Sequence, residues 1–425
     1  MRKLRRETKH DLGAVAWAVA CAAIVLSGLL SFPPTQAQAR SVSFWTQNMN
    51  EWVLEAVNEF TEETGIEVDI RAISWSLDEL LVAHAAGSLP DVWTHGGAAL
   101  GALAHQGMMA PLDHWIETWE HRDDVAPQVF ELGTYQGKVV GLPWRGIEVG
   151  AMPYRADFFA EAGLDPERPP QTWEELVEYG RRLVRRDADG TLIRNGFNVS
   201  DVSWEPSFWF RLLTMQTGID VFGDRDHSLT DPRIARAVEF YSELFHRHRL
   251  NDPGFFGFIS AGTTAMGASP LGGALIRLLE DFVELGGNEQ DLRFAVYPHP
   301  EEPVVALTGD FIAMSPTASD PEAAFALIEH LLSPEVHERF TYEFGTLPVY
   351  RQAVDWDWVA ARPQVHVLME LMFSHGRVTT PHPNFFELRQ VQNDVMLAAR
   401  SGAQAVQTVL EQYAAPYRNA WHGVR

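Results

Sequence analysis

From residue 41 onward the chain alternates between short two-residue periodicities and longer helical stripes. Ser41-Val42-Ser43-Phe44-Trp45 alternates polar and apolar side chains, the pattern of a half-buried strand. Val53, Ala56, Val57 and Phe60 then recur at helical spacing until Gly65, a natural C-terminal stop. Ile66, Val68 and Ile70 alternate once more. A strand, a helix and a strand within about thirty residues predict a parallel pair joined by a right-handed crossover, and hence an α/β fold.

Further helices are marked by their starts. Thr172-Trp173-Glu174-Glu175, after Pro169-Pro170, is a capping box. Asp231-Pro232, Asp320-Pro321 and Ser333-Pro334 each set a capping side chain before a proline of the first turn. Trp173, Leu176, Val177, Leu183 and Val184 share one predicted face; Ala323, Ala324, Leu327, Ile328 and Leu331 share another, so both helices are expected to pack on sheets. No internal repeat or long linker interrupts the 425 residues, a length that suits two or three domains joined by short crossings.

The first 39 residues follow a different pattern. Arg2, Lys3, Arg5, Arg6 and Lys9 precede an apolar run over 12–30, and Ala37-Gln38-Ala39 fits a small-residue cleavage site, the layout of a secretory leader. The run approaches the roughly 20 residues that span a bilayer, so an uncleaved anchor is the alternative. The context of Cys21 does not suit a lipid anchor, and the leader implies a periplasmic protein.

Composition narrows the chemistry. Cys21 is the only cysteine, which leaves no disulfide or thiolate site beyond the leader. With 57 acidic against 33 basic residues and a formal net charge of -24, nucleic acid is not an expected partner. His246 and His248 stand two apart in a predicted helix, where their side chains point to different faces, so neither a metal nor a cofactor is expected. Gly96-Gly97 and the glycines of 262–273 do not match a phosphate-loop spacing.

The excess is aromatic: of 14 tryptophans, Trp17 falls in the leader and several others in predicted loops. Trp45 and Trp93 end predicted strands, Trp144 follows Pro143, and Trp204 and Trp209 bracket Glu205-Pro206, with Asp91 and Glu148 near in sequence. An indole offers a flat face to the C–H face of a pyranose, while carboxylates and guanidinium groups bond its hydroxyl rim. Arg145 suits hydroxyls or, in bidentate fashion, a uronate carboxylate. For each tryptophan, core burial is the competing reading, and paired carboxylates leave open a glycosidase, whose acid and base stand about 5–10 Å apart.

Several short motifs occur in series: Leu89-Pro90-Asp91-Val92, Leu103-Ala104-His105-Gln106-Gly107 with Pro111-Leu112-Asp113, Tyr135-Gln136-Gly137-Lys138-Val139-Val140-Gly141-Leu142-Pro143, Tyr154-Arg155-Ala156-Asp157, Ala265-Met266 and Pro321-Glu322-Ala323-Ala324. In this order the chain resembles the extracellular solute-binding proteins of carbohydrate ABC importers, the family that includes maltose-binding protein. The resemblance implies a two-lobed α/β fold of the type II periplasmic-binding-protein class, with the ligand in the cleft between lobes. A signal peptide would cover 1–39, one lobe 40–148 with 307–345, and the other 149–306 with 346–425. It implies a monomeric receptor rather than an enzyme, delivering a carbohydrate to membrane permease subunits of an ABC importer.

Matched by position, Glu148 falls on a cleft glutamate and Glu205-Pro206 on a ligand motif whose tyrosine is Ser207 here. Leu271 stands near a stacking tryptophan of the family, and Asp310 and His382 fall on cleft segments. The expected ligand contacts are therefore Trp45, Asp91, Trp93, Trp144, Arg145, Glu148, Trp204, Glu205, Trp209, Leu271, Asp310 and His382. A non-sugar solute such as a glycerophosphodiester is the leading alternative, ahead of a secreted carbohydrate-active enzyme.

Overall fold

Residues 41–72 form the strand, helix and strand that their periodicity predicts. β1 (Ser41–Thr46) and β2 (Glu67–Ala72) pair in parallel, with Val42 opposite Val68, and α1 (Glu51–Thr64) joins them. The Asn50 side chain accepts the Val53 N–H at the start of α1, and Gly65, with φ of 69°, ends it in the left-handed conformation that glycine adopts without a Cβ penalty. This computed structural model describes residues 40–199, 206–223, 227–255, 257–267 and 275–423; the expected leader, Trp204, Glu205 and Leu271 lie outside the described residues.

Next come α2 (Asp78–Ala85), β3 (Val92–Gly96), α3 (Leu100–His105) and β4 (Leu142–Pro143). They are followed by β5 (Glu148–Gly150), β6 (Met152–Arg155), α4 (Trp173–Leu183), α5 (Ser207–Gln216) and α6 (Pro232–His246). β7 (Leu292–Ala295), β8 (Val305–Thr308), β9 (Asp310–Met314), α7 (Pro321–Leu331) and α8 (Pro334–Phe344) lead to α9 (Pro363–His375), β10 (Gly376–Val378) and α10 (Phe385–Ser401). The predicted caps hold at Thr172, Asp231 and Asp320, whose side chains accept N–H groups of the first turn. Ser333 makes no such bond, and Glu175 reaches back to the Gln171 N–H rather than to Thr172. Val184 is extended and terminates α4 instead of extending its face.

The strands assemble into two principal sheets. One has the order β2-β1-β3-β9-β4, in which β9 runs antiparallel to both neighbours; the other is β10-β8-β5, with β7 and β6 as a separate antiparallel pair. The chain therefore changes sheet between β4 and β5 and again between β8 and β9, where Gly309 alone intervenes. Leu307 and Thr308, which the expectation assigns to the first lobe, pair with Val149 and Glu148 in the second sheet, where Glu148 also lies.

Asp91 is a joint of the first sheet. Its carboxylate accepts the Ser43 N–H and hydroxyl at 2.8 and 2.6 Å and those of Ser319 at 2.6 and 3.0 Å, tying β1 to the turn after β9. Burial alone would raise its pKa, but these hydrogen bonds outweigh burial and hold the carboxyl below its ordinary value. Both carboxylate oxygens of Asp91 are thus engaged in holding the sheet. Replacing Asp91 by Ala leaves buried donors without their acceptor and is expected to cost on the order of 3 kcal/mol in urea unfolding, with ligand affinity unchanged; a variant of native stability and weakened ligand binding would return Asp91 to the site.

Candidate functional site

Two crossings of the chain meet at one point. Gly146 has φ of 94°, and a Cβ there would lie 2.5 Å from the Thr346 hydroxyl and 2.6 Å from the Leu347 carbonyl, so only glycine fits the passage. A Cβ on Gly309 would lie 3.0 Å from the Gly146 carbonyl, so the two crossings run against each other. The return segment joins them, through a bridge between Ile147 and Leu347 and a hydrogen bond from the Thr346 hydroxyl to the Arg145 carbonyl.

At this junction Arg145 holds two carboxylates. Its Nε donates to Asp310 Oδ2 at 2.6 Å and its Nη2 to Glu148 Oε1 at 3.3 Å, while its guanidinium sits 5.0 Å from the centre of the Phe344 ring. All three charged side chains are nearly buried. Burial pushes the Glu148 carboxyl up to about 7; Arg145 opposes the shift and the charge of Asp310 adds to it.

Asp310 also lines a cavity of about 280 Å³ between the two sheets. Gly97, Ala98, Leu100, Pro143 and Phe311 contribute from the first sheet and the turn after β3; Ser207, Phe208, Arg211 and Met215 from α5; Phe385 and Arg389 from α10. Thr308, Gly309, Thr379, Thr380 and Pro381 complete the lining near the crossings. Arg211 Nη1 donates to the Ser207 hydroxyl at 3.1 Å, and the Arg211 and Arg389 guanidinium carbons lie 5.4 and 6.0 Å from the centre of the Phe385 ring. The walls thus alternate apolar faces with hydroxyls, guanidinium groups and one carboxylate.

Of the expected contacts, the structure brings Asp310 to the cavity and places Arg145 and Glu148 directly behind it. The described tryptophans among them do not line it. Trp93 and Trp144 are fully buried, Trp93 edge-on to Phe311 at 5.6 Å and Trp144 edge-on to Phe340 at 5.5 Å. Trp209 is enclosed by Phe197, Phe208 and Tyr297, and Trp45 is half-buried beneath the Arg71 guanidinium, 4.4 Å from its ring centre. His382 stacks obliquely on Trp421 at 4.5 Å, and its Nδ1 accepts the Asn384 N–H at 3.1 Å. Burial, helped by the charges of His105 and His422, lowers its pKa to about 4, so the imidazole is neutral at pH 7.

Sequence reasoning missed Arg211, Arg389 and Phe385. Ser207 and Arg211 stand four apart on α5, as Phe385 and Arg389 do on α10, the spacing that puts two side chains on one helix face. That signal is visible in the sequence, but not that the two faces converge. Of the two carboxylates that Arg145 holds, Asp310 lines the cavity and Glu148 does not.

The family model for bacterial extracellular solute-binding proteins matches residues 55–367. A putative binding protein of Brucella abortus is 21% identical over 361 residues, 83% of this chain and 85% of that one. The osmoprotective compounds-binding protein of Synechocystis is 23% identical over 312 residues, 68% of this chain and 70% of that one. The cyclic alpha-maltosyl-1,6-maltose binding protein of Arthrobacter globiformis superposes with a TM-score of 0.75 at 19% identity, over 90% of this chain and 99% of that one. The fold is accordingly the mixed α/β fold of periplasmic binding proteins, and no helix among the described residues is long and apolar enough to cross a membrane. The chain belongs to the bacterial extracellular solute-binding protein family: it is a non-enzymatic receptor that binds a small solute for an ABC transporter.

Proposed function

We propose that the solute is a carbohydrate, captured outside the inner membrane by closure of two lobes and passed to the permease subunits of an ABC importer. The observation that carries this reading is the make-up of the cavity: Phe208, Phe385 and Pro143 offer apolar faces, while Asp310, Arg211, Ser207, Thr308 and Thr380 offer donors and acceptors. A pyranose needs both at once. The volume, about 280 Å³, lies just below the roughly 300–1,000 Å³ usual for small-molecule sites, which favours a compact ligand within the cavity itself. The maltosyl ligand in the name of the Arthrobacter protein supports the same class.

The lobes in this reading are 40–148 with 307–345 and 149–306 with 346–425, adjusted so that the crossings fall at 144–147 and at Gly309. A ligand seated on one lobe gains contacts with the other only when the cleft shuts, so binding shifts the population towards the closed form. Ala98 packs into the apolar cluster of the second lobe, and a Cβ on Gly101 would lie 2.5 Å from the backbone nitrogen and oxygen of His382. In this reading these are contacts of the closed cleft, and its shutting needs a glycine at position 101 on α3. The leader expected over 1–39 would deliver the receptor to the periplasm.

A phosphate-bearing solute is the second reading, favoured by Arg211 and Arg389 in one cavity wall. A guanidinium matches phosphate oxygens in a bidentate fork. A short stretch of 30 residues is 57% identical to the sn-glycerol-3-phosphate-binding periplasmic protein of Salmonella typhimurium.

Thermal-shift measurements on residues 40–425 separate these readings. Ligand at ~1,000 times its dissociation constant adds about 4 kcal/mol of stability. A rise in Tm with one sugar series, the sugar being recovered intact, is expected; a rise with glycerol phosphates alone, or with neither, overturns the carbohydrate reading. Gly101→Ala is expected to weaken the same ligand at least tenfold while leaving circular dichroism unchanged, and unaltered affinity would show that closure does not use the contact between α3 and His382.

Glu148 makes stability depend on pH. Its carboxyl titrates near 7 in the folded chain against 4.5 ordinarily, so between these values the folded state holds the extra proton and stability falls as pH rises. At about 1.4 kcal/mol per pH unit, the loss approaches roughly 3 kcal/mol by pH 8. Glu148→Gln, which stays neutral, is expected to gain in Tm relative to the native protein as pH rises from 5 to 8; a difference that stays level across that range would mean the carboxyl is already ionised at pH 5.

A further inference from the structure

The backbone of His382 is the surface on which α3 rests, since a Cβ on Gly101 would lie 2.5 Å from its nitrogen and its oxygen. His105 stands four residues on from Gly101, the spacing of one helix face. Behind the buried imidazole lie the rings of Phe222, 6.0 Å away, and of Trp421, 4.5 Å away, in α11 (Val406–His422). The same loop serves the cavity: Thr379, Thr380 and Pro381 line it, and the His382 carbonyl accepts the Phe385 N–H at the start of α10.

One hydrogen bond decides what a proton does to this loop. A backbone N–H can only donate, so the bond from the Asn384 N–H at 3.1 Å makes Nδ1 an acceptor and leaves the ring hydrogen on Nε2. A second proton must go to Nδ1 and takes the lone pair that Asn384 uses. Asn384 precedes α10, and its amide donates to the Ala420 carbonyl of α11 at 2.8 Å, so the bond that is lost belongs to the residue joining loop, α10 and α11.

The surroundings oppose that proton. Burial comes first, and His105 on α3 and His422 on α11 add like charge. The other titratable groups at hand have partners of their own or point to water. Asp220, on the segment before Phe222, accepts the Thr380 hydroxyl; His227 and Tyr417 bond each other at 3.1 Å beside Trp421; Arg389 of α10 lies 5.2 Å from the centre of the Phe386 ring, and Glu387 is exposed. In the closed form the imidazole is thus held at about 4. An open cleft takes Gly101 and His105 away from the loop, and the ring returns part of the way to its ordinary 6.5. The open form binds the proton more readily, so falling pH favours opening, by up to about tenfold per pH unit for one proton.

We infer that His382 is an acid-sensitive latch of the cleft: the neutral ring holds the loop against α3, and a proton on Nδ1 breaks the Asn384 bond, parts the loop from α3 and releases the solute. This rests on the reading above that two lobes close over a solute, whichever solute it is.

The test needs no ligand. Residues 40–425 contain no cysteine, so spin labels on Val82→Cys and Ile193→Cys, exposed positions on the two lobes, report one distance by pulsed dipolar spectroscopy. Gly101→Leu, whose side chain cannot fit against His382, supplies the open distance. The otherwise native protein is expected to show the closed distance at pH 7.5 and to move to the open one by pH 4.5. His382→Asn, whose Oδ1 can still accept the Asn384 N–H but takes no proton, should keep the closed distance throughout. His105→Gln, at an exposed position, should shift the midpoint to lower pH. A native distance that does not change with pH, a His382→Asn protein that opens as the native one does, or a midpoint unmoved by His105→Gln overturns the latch alone. A change in distance accompanied by loss of helical circular dichroism is unfolding and overturns it too. The same distance in Gly101→Leu as in the native protein at pH 7.5 overturns the closure reading and the latch with it.

Discussion

One guanidinium answers two nearly buried carboxylates at the place where the chain changes sheet. Asp310 begins β9 of the first sheet and Glu148 begins β5 of the second, so Arg145 ties the starts of two strands that belong to different sheets. Such a group is costly to desolvate, and losing the cation would leave two charges in apolar surroundings, a larger penalty than the pair repays when intact. Arg145 does not serve its partners equally. The bond to Asp310 is 2.6 Å and that to Glu148 3.3 Å, and the less well served carboxyl is the one pushed up to about 7. The glycines follow from the same constraint, since Gly146 and Gly309 let the two crossings run close enough for one side chain to reach both strand starts.

Local chemistry carried much of the fold into the sequence. The periodicities of 41–70 and the caps at Thr172, Asp231 and Asp320 needed only neighbours within a turn or two, and all appear as strands and helices. What local pattern does not encode is the antiparallel insertion of β9 between β3 and β4, because that pairing joins residues some two hundred positions apart. The same limit put the crossing at 307. Nothing in Val305-Ala306-Leu307-Thr308 distinguishes a strand of one sheet from a strand of the other until its partners, Glu148–Gly150 and Gly376–Val378, are known.

The segments around the cavity were legible to within one residue, whereas the direction in which adjacent side chains point was not. Trp144 and Arg145 are neighbours in the bend after β4, and their side chains go different ways: the indole enters the core and the guanidinium reaches Asp310. Phe208 lines the cavity, while Trp209, next along α5, turns into the cluster of Phe197 and Tyr297. Pro381 faces the cavity, and His382 beside it packs on Trp421. Residue type located the segments, but which of two adjacent side chains faces the ligand is decided by backbone direction, and aromatic size favours the core when both options exist.

This pairing gives the buried tryptophans a role that their sequence position had hidden. A large ring fixed in the core on one side of the chain leaves the neighbouring side chain little choice of position on the other. Trp144, wedged against Phe44 and Phe340, fixes the backbone from which Arg145 extends, just as Trp209 fixes the turn of α5 that presents Phe208. The buried tryptophans described here therefore act on the cavity at one remove, by holding the groups that line it. Trp75 is placed differently, on a short loop braced by Glu79 rather than against a core, and more than half of its surface is exposed. The two placements differ in cost: a ring anchored in the core has its conformational freedom removed on folding, whereas an exposed ring keeps it.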